Sequence, residues 1–368
     1  MTRPDGRPLS PGAARRDTAR RRVLEFARAR LADRRQRGQA GGLVAADYHS
    51  GLPQLAFFRE QIAPILERGD RRIAAALEIG SGLGWQCALM AAWGTPRVLG
   101  IDPDLARTAQ PHGAANAHTL FRLAQREPRL REAAQFIRGD DGTLTSVRFP
   151  DRLLLAAADG ARLPVPAGSF DLVVCRDVLE HAADPAGLLD EAARALRLGG
   201  VLIASAQPLY CSIYGHHFED IMPLPWGHIL WTAEELCQVI MAEAGKDRRI
   251  ADGVPLTRGF LFDLLTRQLN RATPAQLRRA LRRGPWRITG WVDIVDPRDE
   301  ALLKELGVRE ATDLPLDCLL LRGLIMRLER VPRPHGLRLP MRMSFLARRR
   351  LRRIVTPWRS REGFSTLG

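Results

Sequence analysis

A glycine-rich turn between two short apolar runs restricts the fold of this chain more than any other feature. The first run, Leu77 to Ile79, carries the acid Glu78 and leads into three alternating glycines, after which the apolar segment WQCALMAA follows. A second run, VLGI, ends in Asp102, about 20 positions after the glycines. This order predicts a β–turn–α–β unit of a Rossmann-like parallel sheet that binds an adenosine-containing cofactor.

The spacing of the glycines separates two classes of cofactor. A dinucleotide fingerprint requires a third glycine where this chain has Trp85, whose side chain would fill the space that a pyrophosphate needs. A nicotinamide oxidoreductase is therefore disfavoured. The alternating pattern Glu78-x-Gly80-x-Gly82-x-Gly84 instead resembles motif I of the class I S-adenosylmethionine (SAM) methyltransferases.

Further motifs follow in the order of that family. An apolar run over residues 153–158 ends in Asp159-Gly160, Phe170 to Cys175 forms a fourth strand, and EAARALRLGGVLIAS is similar to the family's junction between a helix and strand 5. Strands 6 and 7 are placed at residues 288–295 and 318–328. The resemblance implies an α/β fold with helices on both faces of a seven-stranded sheet, in the order 3-2-1-4-5-7-6 with strand 7 antiparallel.

The chain divides into three parts by charge and pattern. Residues 1–42 form a basic extension with a helix over 13–37 and a disordered start at 1–12. Residues 43–332 form the methyltransferase domain, with an insert at about 104–152 and a lid over the substrate at about 206–256. Residues 333–368 form a basic tail. Its apolar residues have amphipathic spacing, which is typical of a helix that contacts a membrane surface or an anionic partner. The alternatives are a helix docked on its own domain, or disorder.

Composition narrows the class of protein. The net charge of +15 comes almost entirely from arginine, which GC-rich coding can explain, so nucleic-acid binding is disfavoured. Five cysteines form no C-x-x-C pair, and we expect Cys87 and Cys175 to be buried free thiols. No apolar run reaches about 18 residues. These features predict a reduced, cytoplasmic, soluble protein, with a peripheral contact at the inner membrane face through the tail as an open alternative.

The resemblance implies SAM as the cofactor and assigns residues to each of its parts. Glu78 would contact the methionine amino group, and Asp102 would bind the ribose hydroxyls beside Pro103 at the adenine face. The remaining implied contacts are the backbone of Gly80, Ser81, Gly82 and Gly84 around methionine and ribose, Asp159 and Gly160 at the adenine edge, and Arg176 and Asp177 under the methionine end.

Histidines and aromatic residues after strands 4 and 5 indicate where the methyl acceptor binds. We predict His216, His217 or His181 as a general base, since imidazole titrates near neutral pH. A loop dense in rings is expected to contact the substrate through Tyr210, Tyr214, Trp226 and His228. The alternative is a packed lid whose histidines satisfy backbone carbonyls. We predict no metal, because a zinc site from these histidines lacks a Cys or acid at a known spacing.

These observations predict a SAM-dependent methyltransferase that acts at oxygen on a small-molecule or glycan- or lipid-linked acceptor. Two alternatives stay open: an RNA methyltransferase that uses the arginine-rich ends, and a non-catalytic binding module. Methylation of base amino groups is disfavoured, because the residues after strand 4 are Arg176-Asp177-Val178-Leu179 and not [DN]-P-P-[YFW]. The sequence does not indicate an oligomeric state.

Overall fold

The computed structural model describes residues 11–36, 52–67, 72–103, 114–149, 152–244 and 256–332. Its strands are β1 (Ala75–Ile79), β2 (Arg97–Ile101), β3 (Gln135–Arg138), β4 (Leu144–Arg148), β5 (Leu153–Ala156), β6 (Phe170–Cys175), β7 (Leu196–Ala206), β8 (Trp286–Ile294) and β9 (Gly323–Arg330). Its α-helices are α1 (Pro11–Gln36), α2 (Leu52–Phe57), α3 (Ala63–Leu66), α4 (Trp85–Ala92), α5 (Ala114–Ala124), α6 (Pro128–Ala133), α7 (Pro185–Ala195), α8 (Gly227–Leu230), α9 (Ala233–Ala244), α10 (Arg258–Asp263), α11 (Pro274–Arg283), α12 (Arg298–Glu305) and α13 (Leu316–Leu320).

Seven strands form one sheet in the order β5-β2-β1-β6-β7-β9-β8. Strands β5, β2, β1, β6 and β7 pair in parallel, whereas β9 runs antiparallel to both β7 and β8. Every residue of β1 and β6 is buried, as expected for strands covered by helices on both faces. The predicted order 3-2-1-4-5-7-6 is confirmed.

Several boundaries differ from the prediction by a few residues. The junction between helix and strand in EAARALRLGGVLIAS lies before its glycines: helix α7 ends at Ala195, β7 begins at Leu196, and Gly199 (φ 75°) lies within the strand. The start of the predicted last strand is wrong, since residues 316–320 form α13 and β9 begins only at Gly323. Between β2 and β5, the helices α5 and α6 and the separate hairpin β3–β4 occupy the region of the expected insert.

Helix α1 is packed against the lid and is not a free basic extension. Its buried face consists of Ala19, Val23, Ala27 and Leu31, and it joins an apolar cluster with Trp226 and other lid residues. The helix begins at Pro11, so the expected disorder is wrong for residues 11 and 12; residues 1–10 lie outside the described ranges, as does the tail from residue 333.

The arginines of α1 bind partners on the lid side of the molecule. Arg20 lies 2.8 Å from Glu235, Arg28 pairs with Glu243, and Arg34 donates to the carbonyl of Glu219 at 3.1 Å. Part of the positive charge of α1 is therefore paired within the protein. These arginines give less support to the binding of a nucleic acid.

The cysteines depart from the reduced state that we expected. Cys87 and Cys175 are buried free thiols as predicted, but Cys211 and Cys318 form a disulfide across 107 positions of sequence. Spacing alone could not reveal this pair, because the lid and α13 are brought together only by the fold. None of the helices in the described ranges has both the length and the apolar character needed to cross a membrane.

Candidate active site

A cavity of about 380 Å³ opens at the carboxyl ends of β1, β2 and β6. In an open parallel sheet, ligands bind at this edge, where neighbouring connections leave on opposite faces. The residues that line it are Gln54, Glu78, Gly80, Ser81, Gly82, Leu83, Trp85, Gln86, Asp102, Pro103, Arg176, Asp177, Val178 and His181.

The glycine-rich turn is fixed by backbone conformation and by β2. Gly80, Gly82 and Gly84 all have positive φ angles, and a Cβ at Gly80 would lie 2.2 Å from Cγ2 of Val178. The Gly82 amide donates to Oδ2 of Asp102 at 2.9 Å, which ties the turn to the acid at the end of β2. A Cβ at Gly82 would meet nothing within 4 Å, so the wall of the cavity is open at this position.

Glu78 is a buried acid at the base of the cavity. Its Oε2 accepts the backbone amide of Cys87 at 3.1 Å and the thiol of the same residue at 2.9 Å. Burial raises the pKa of Glu78 to about 7, against the smaller opposing effect of the Cys87 hydrogen bonds and of Arg176. A cation placed beside Glu78 would favour its ionised form.

Arg176 and Asp177 follow β6 and form an ion pair at the cavity wall. Nε of Arg176 lies 3.3 Å from Oδ2 of Asp177, and its guanidinium carbon lies 5.2 Å from the centre of the Phe57 ring. Asp177 has a φ of 52° and accepts the hydroxyl of Ser205 at 2.7 Å. This bond fixes the turn that directs the pair toward the cavity.

Three of the predicted cofactor residues do not line the cavity. Asp159 is exposed, and its carboxylate accepts the amide of Ala161 at 2.9 Å. Gly160 and Gly84 support the site indirectly: a Cβ on either would lie within 3 Å of Ile79 or Leu155 respectively. Their contacts with the cofactor stay predictions.

The ring cluster of the lid is packed in the interior. His216 is fully buried; its Nε2 bonds to the Leu224 carbonyl at 2.9 Å, and its Nδ1 accepts the Phe218 amide at 2.9 Å. Both ring nitrogens are therefore used within the lid, and burial lowers the pKa of His216 to about 4. The geometry disfavours His216 as a base, because neither nitrogen is left for a substrate.

The four residues predicted to contact the substrate are likewise packed within the lid. His228 bonds to the Tyr210 carbonyl, and Trp226 is fully buried and donates to the Leu319 carbonyl at 3.2 Å. Tyr214 lies in the same apolar cluster, and none of the four lines the cavity. The structure supports the alternative that these rings hold the lid together, since the side chains of Tyr210, Trp226 and His228 bond to backbone carbonyls.

His181 is the histidine that the structure places at the cavity. Its Nδ1 lies 3.1 Å from the carbonyl oxygen of Gln268. A carbonyl only accepts, so Nδ1 carries the proton and Nε2 keeps its lone pair. Loss of hydration lowers the pKa of His181 below its usual value, so the ring is neutral near pH 7.

His217 packs against His181, with 4.9 Å between the ring centres. The His217 ring bonds to the carbonyl of Pro208, and burial together with the neighbouring histidines lowers its pKa to about 3. It lies behind His181 and does not itself line the cavity.

Gln54 and Gln86 belong to none of the predicted motifs, yet both line the cavity and are almost fully buried. A signal was present for each: Gln54 is the only polar residue of α2 (LPQLAF), and Gln86 is the only strongly polar residue of α4 (WQCALMAA). Within the described residues, no group of three or more His, Cys, Asp or Glu side chains could hold a metal ion.

Comparison with known proteins agrees with this geometry. Residues 77–204 match the family model described as a methyltransferase domain. A demethylmenaquinone methyltransferase of Parafrankia sp. (strain EAN1pec) is 31% identical over 177 residues, which cover 44% of this chain and 70% of that protein.

Solved structures with similar folds are more distant in sequence. A SAM-dependent methyltransferase from Mesorhizobium loti is 18% identical, with a TM-score of 0.39 over 76% of this chain and 98% of that chain. A geranyl diphosphate C-methyltransferase from Streptomyces coelicolor A3(2), solved with Mg²⁺, geranyl diphosphate and S-adenosylhomocysteine, is 14% identical, with a TM-score of 0.36 over 70% and 72%. At these TM-scores the fold assignment rests on the strand order of the chain itself.

Proposed function

Because the chain belongs to the class I SAM-dependent methyltransferases and acts on a small molecule, we propose that it methylates a hydroxyl oxygen of its acceptor and that His181 is the general base. The observation that carries this proposal is the 3.1 Å contact between Nδ1 of His181 and the carbonyl oxygen of Gln268, which selects the tautomer. The ring proton is held on Nδ1 by the Gln268 carbonyl, so a neutral ring with an unprotonated Nε2 stands at the cavity.

The residues at the cavity fit SAM as the cofactor. The ligand combines an ammonium, a carboxylate and a ribose diol with an adenine ring. The cavity offers Glu78 for the ammonium, Asp102 for the diol and the cation Arg176 for the carboxylate. The oxygen of Ser81 is buried without a hydrogen-bond partner, and the glycine turn leaves space for a ligand at Gly82.

The protein's own chemistry is then positioning and proton removal. SAM, when bound, supplies an electrophilic methyl group together with its leaving group. The acceptor hydroxyl loses its proton to Nε2 of His181, and the oxygen displaces the methyl in line. The neighbouring His217 is neutral and adds no positive charge beside the base.

A hydroxylated ring is the acceptor class to be tested first. The matched relative is named for demethylmenaquinone, and deprotonation of a ring hydroxyl would activate either the oxygen or a neighbouring ring carbon. Methylation at carbon is therefore the second candidate, and the same base would serve it. Glycan- and lipid-linked hydroxyls form the third set of acceptors.

The test is a product screen with purified protein and SAM labelled in the methyl group. Phenols, reduced quinones and sugars are offered as acceptors, and mass spectrometry with NMR locates the methyl group. We expect an O-methyl product, and we expect His181→Asn to lower kcat by about 10²–10⁴-fold while the Kd of S-adenosylhomocysteine changes little.

His118, which lies outside the cavity, provides the matched control as His118→Asn. A methyl group on carbon would favour the second candidate. Unchanged kcat in His181→Asn would exclude this residue as the base.

A further inference from the structure

Two glutamine side chains bring unpartnered polar atoms to the wall of the cavity. Both Oε1 and Nε2 of Gln54 are buried without a hydrogen-bond partner, as is Oε1 of Gln86. Gln54 is 3% exposed and Gln86 is 2% exposed. Unpartnered buried groups are rare in folded proteins and carry a penalty that hydrogen bonds to a ligand remove.

The two glutamines lie on different helices and are joined by a hydrogen bond. Nε2 of Gln86, on α4, donates to the backbone carbonyl of Gln54, on α2, at 2.9 Å. Helix α2 also carries Phe57, whose ring lies under the guanidinium of Arg176. Helix α2 is therefore held against the part of the cavity wall that contains Arg176.

The chemistry of this group of side chains matches an α-amino acid. Its ammonium needs acceptors, which Glu78 and Oε1 of Gln86 provide. Its carboxylate needs donors, which Nε2 of Gln54 and Arg176 provide. Among the described residues that line the cavity, Arg176 is the only arginine or lysine, so within them the position of a carboxylate is restricted to its side.

We infer that Gln54 and Gln86 bind the amino-acid end of SAM, and that α2 selects ligands that carry this end over simple adenosine compounds. The inference depends on SAM as the cofactor and not on the acceptor or on His181. It can therefore succeed or fail separately from the proposed hydroxyl chemistry.

Calorimetric titration with two ligands tests this inference without catalysis. S-adenosylhomocysteine has the amino-acid end, and 5′-methylthioadenosine lacks it. In Gln54→Leu we expect the Kd of S-adenosylhomocysteine to rise about 10- to 100-fold and that of 5′-methylthioadenosine to change less than about twofold. The Tm of the ligand-free protein should not fall, because leucine removes two buried polar atoms that have no hydrogen-bond partner.

Gln61→Leu is the matched control, because Gln61 is half-buried on the adjoining helical segment Phe58–Ile62 and does not line the cavity. It should leave both affinities unchanged. If Gln54→Leu lowers the Tm, Gln54→Met replaces it. An unchanged Kd for S-adenosylhomocysteine, or an equal loss for both ligands, would overturn the inference.

Discussion

At the scale of single residues, Glu78 shows how burial sets a carboxylate for its ligand. Its pKa in the folded protein is about 7, well above the usual 4.5. Because the folded state holds this proton more tightly than the unfolded state, stability is lost as the pH rises from about 4.5 to about 7. At about 1.4 kcal/mol for each pH unit, the ionised carboxylate costs roughly 3 kcal/mol.

Glu78→Gln should therefore stabilise the ligand-free protein by less than about 1 kcal/mol at pH 5 and by more above pH 7. We expect a gain of up to about 3 kcal/mol in the free energy of unfolding at pH 8. Urea denaturation at pH 5 and pH 8 measures the difference. The same variant should bind S-adenosylhomocysteine more weakly, because an amide replaces the partner of its ammonium. A stability change that is equal at both pH values would contradict this account.

The residues that the sequence predicts best are those tied to the backbone of the glycine-rich motif. Glu78, Gly80 and Asp102 follow strands whose ends must meet at one edge of the sheet, so their place at the cavity could be predicted. The role of His216 could not, because its two partners, the Leu224 carbonyl and the Phe218 amide, are brought to it by the fold of the lid. Composition gives no information about such bonds.

At the scale of elements, buried parallel strands are easily recognised as apolar runs, and their order followed from the family motifs. The lid is harder, because residues 207–226 contain no helix or strand and so have no periodicity to detect. The partner of the lid was also unforeseen. Helix α1 supplies an apolar face whose side chains join the apolar cluster that contains Trp226.

Helix α1 should therefore be necessary for the stability of the lid. Val23 is fully buried in this cluster, so Val23→Asp would place a carboxylate in an apolar interior and lower the free energy of unfolding by several kcal/mol. Ala29→Asp puts the same residue on the exposed face of the same helix and should change it by about 0.5 kcal/mol or less. Thermal unfolding of both variants gives the comparison.

Equal destabilisation by the two substitutions would show that the helix is sensitive to aspartate itself and not to burial at its contact with the lid. A lid that is independent of α1 would leave both variants as stable as the parent protein.

At the scale of the whole molecule, the described residues form three apolar clusters around one sheet. Two cover the faces of the sheet, and the third joins α1, the lid and the segments around α10 and α12. The disulfide between Cys211 and Cys318 connects the start of the lid to α13, just before the antiparallel strand β9. It therefore joins the lid covalently to the segment that leads into β9.

Breaking this bond should destabilise the protein through the unfolded state. A link that closes a loop of about 100 residues removes much of the freedom of the unfolded chain, and such bonds contribute about 2–5 kcal/mol. We expect a mild reductant to lower the Tm of the parent protein to that of the double variant Cys211→Ser/Cys318→Ser, whose own Tm should not respond to the reductant. The buried thiol Cys237 provides a control, because Cys237→Ser leaves the bond intact and should retain the response. Thiol titration of the unfolded, unreduced protein should find three reactive groups; five would show that the bond is absent and that the lid is held to the sheet by packing alone.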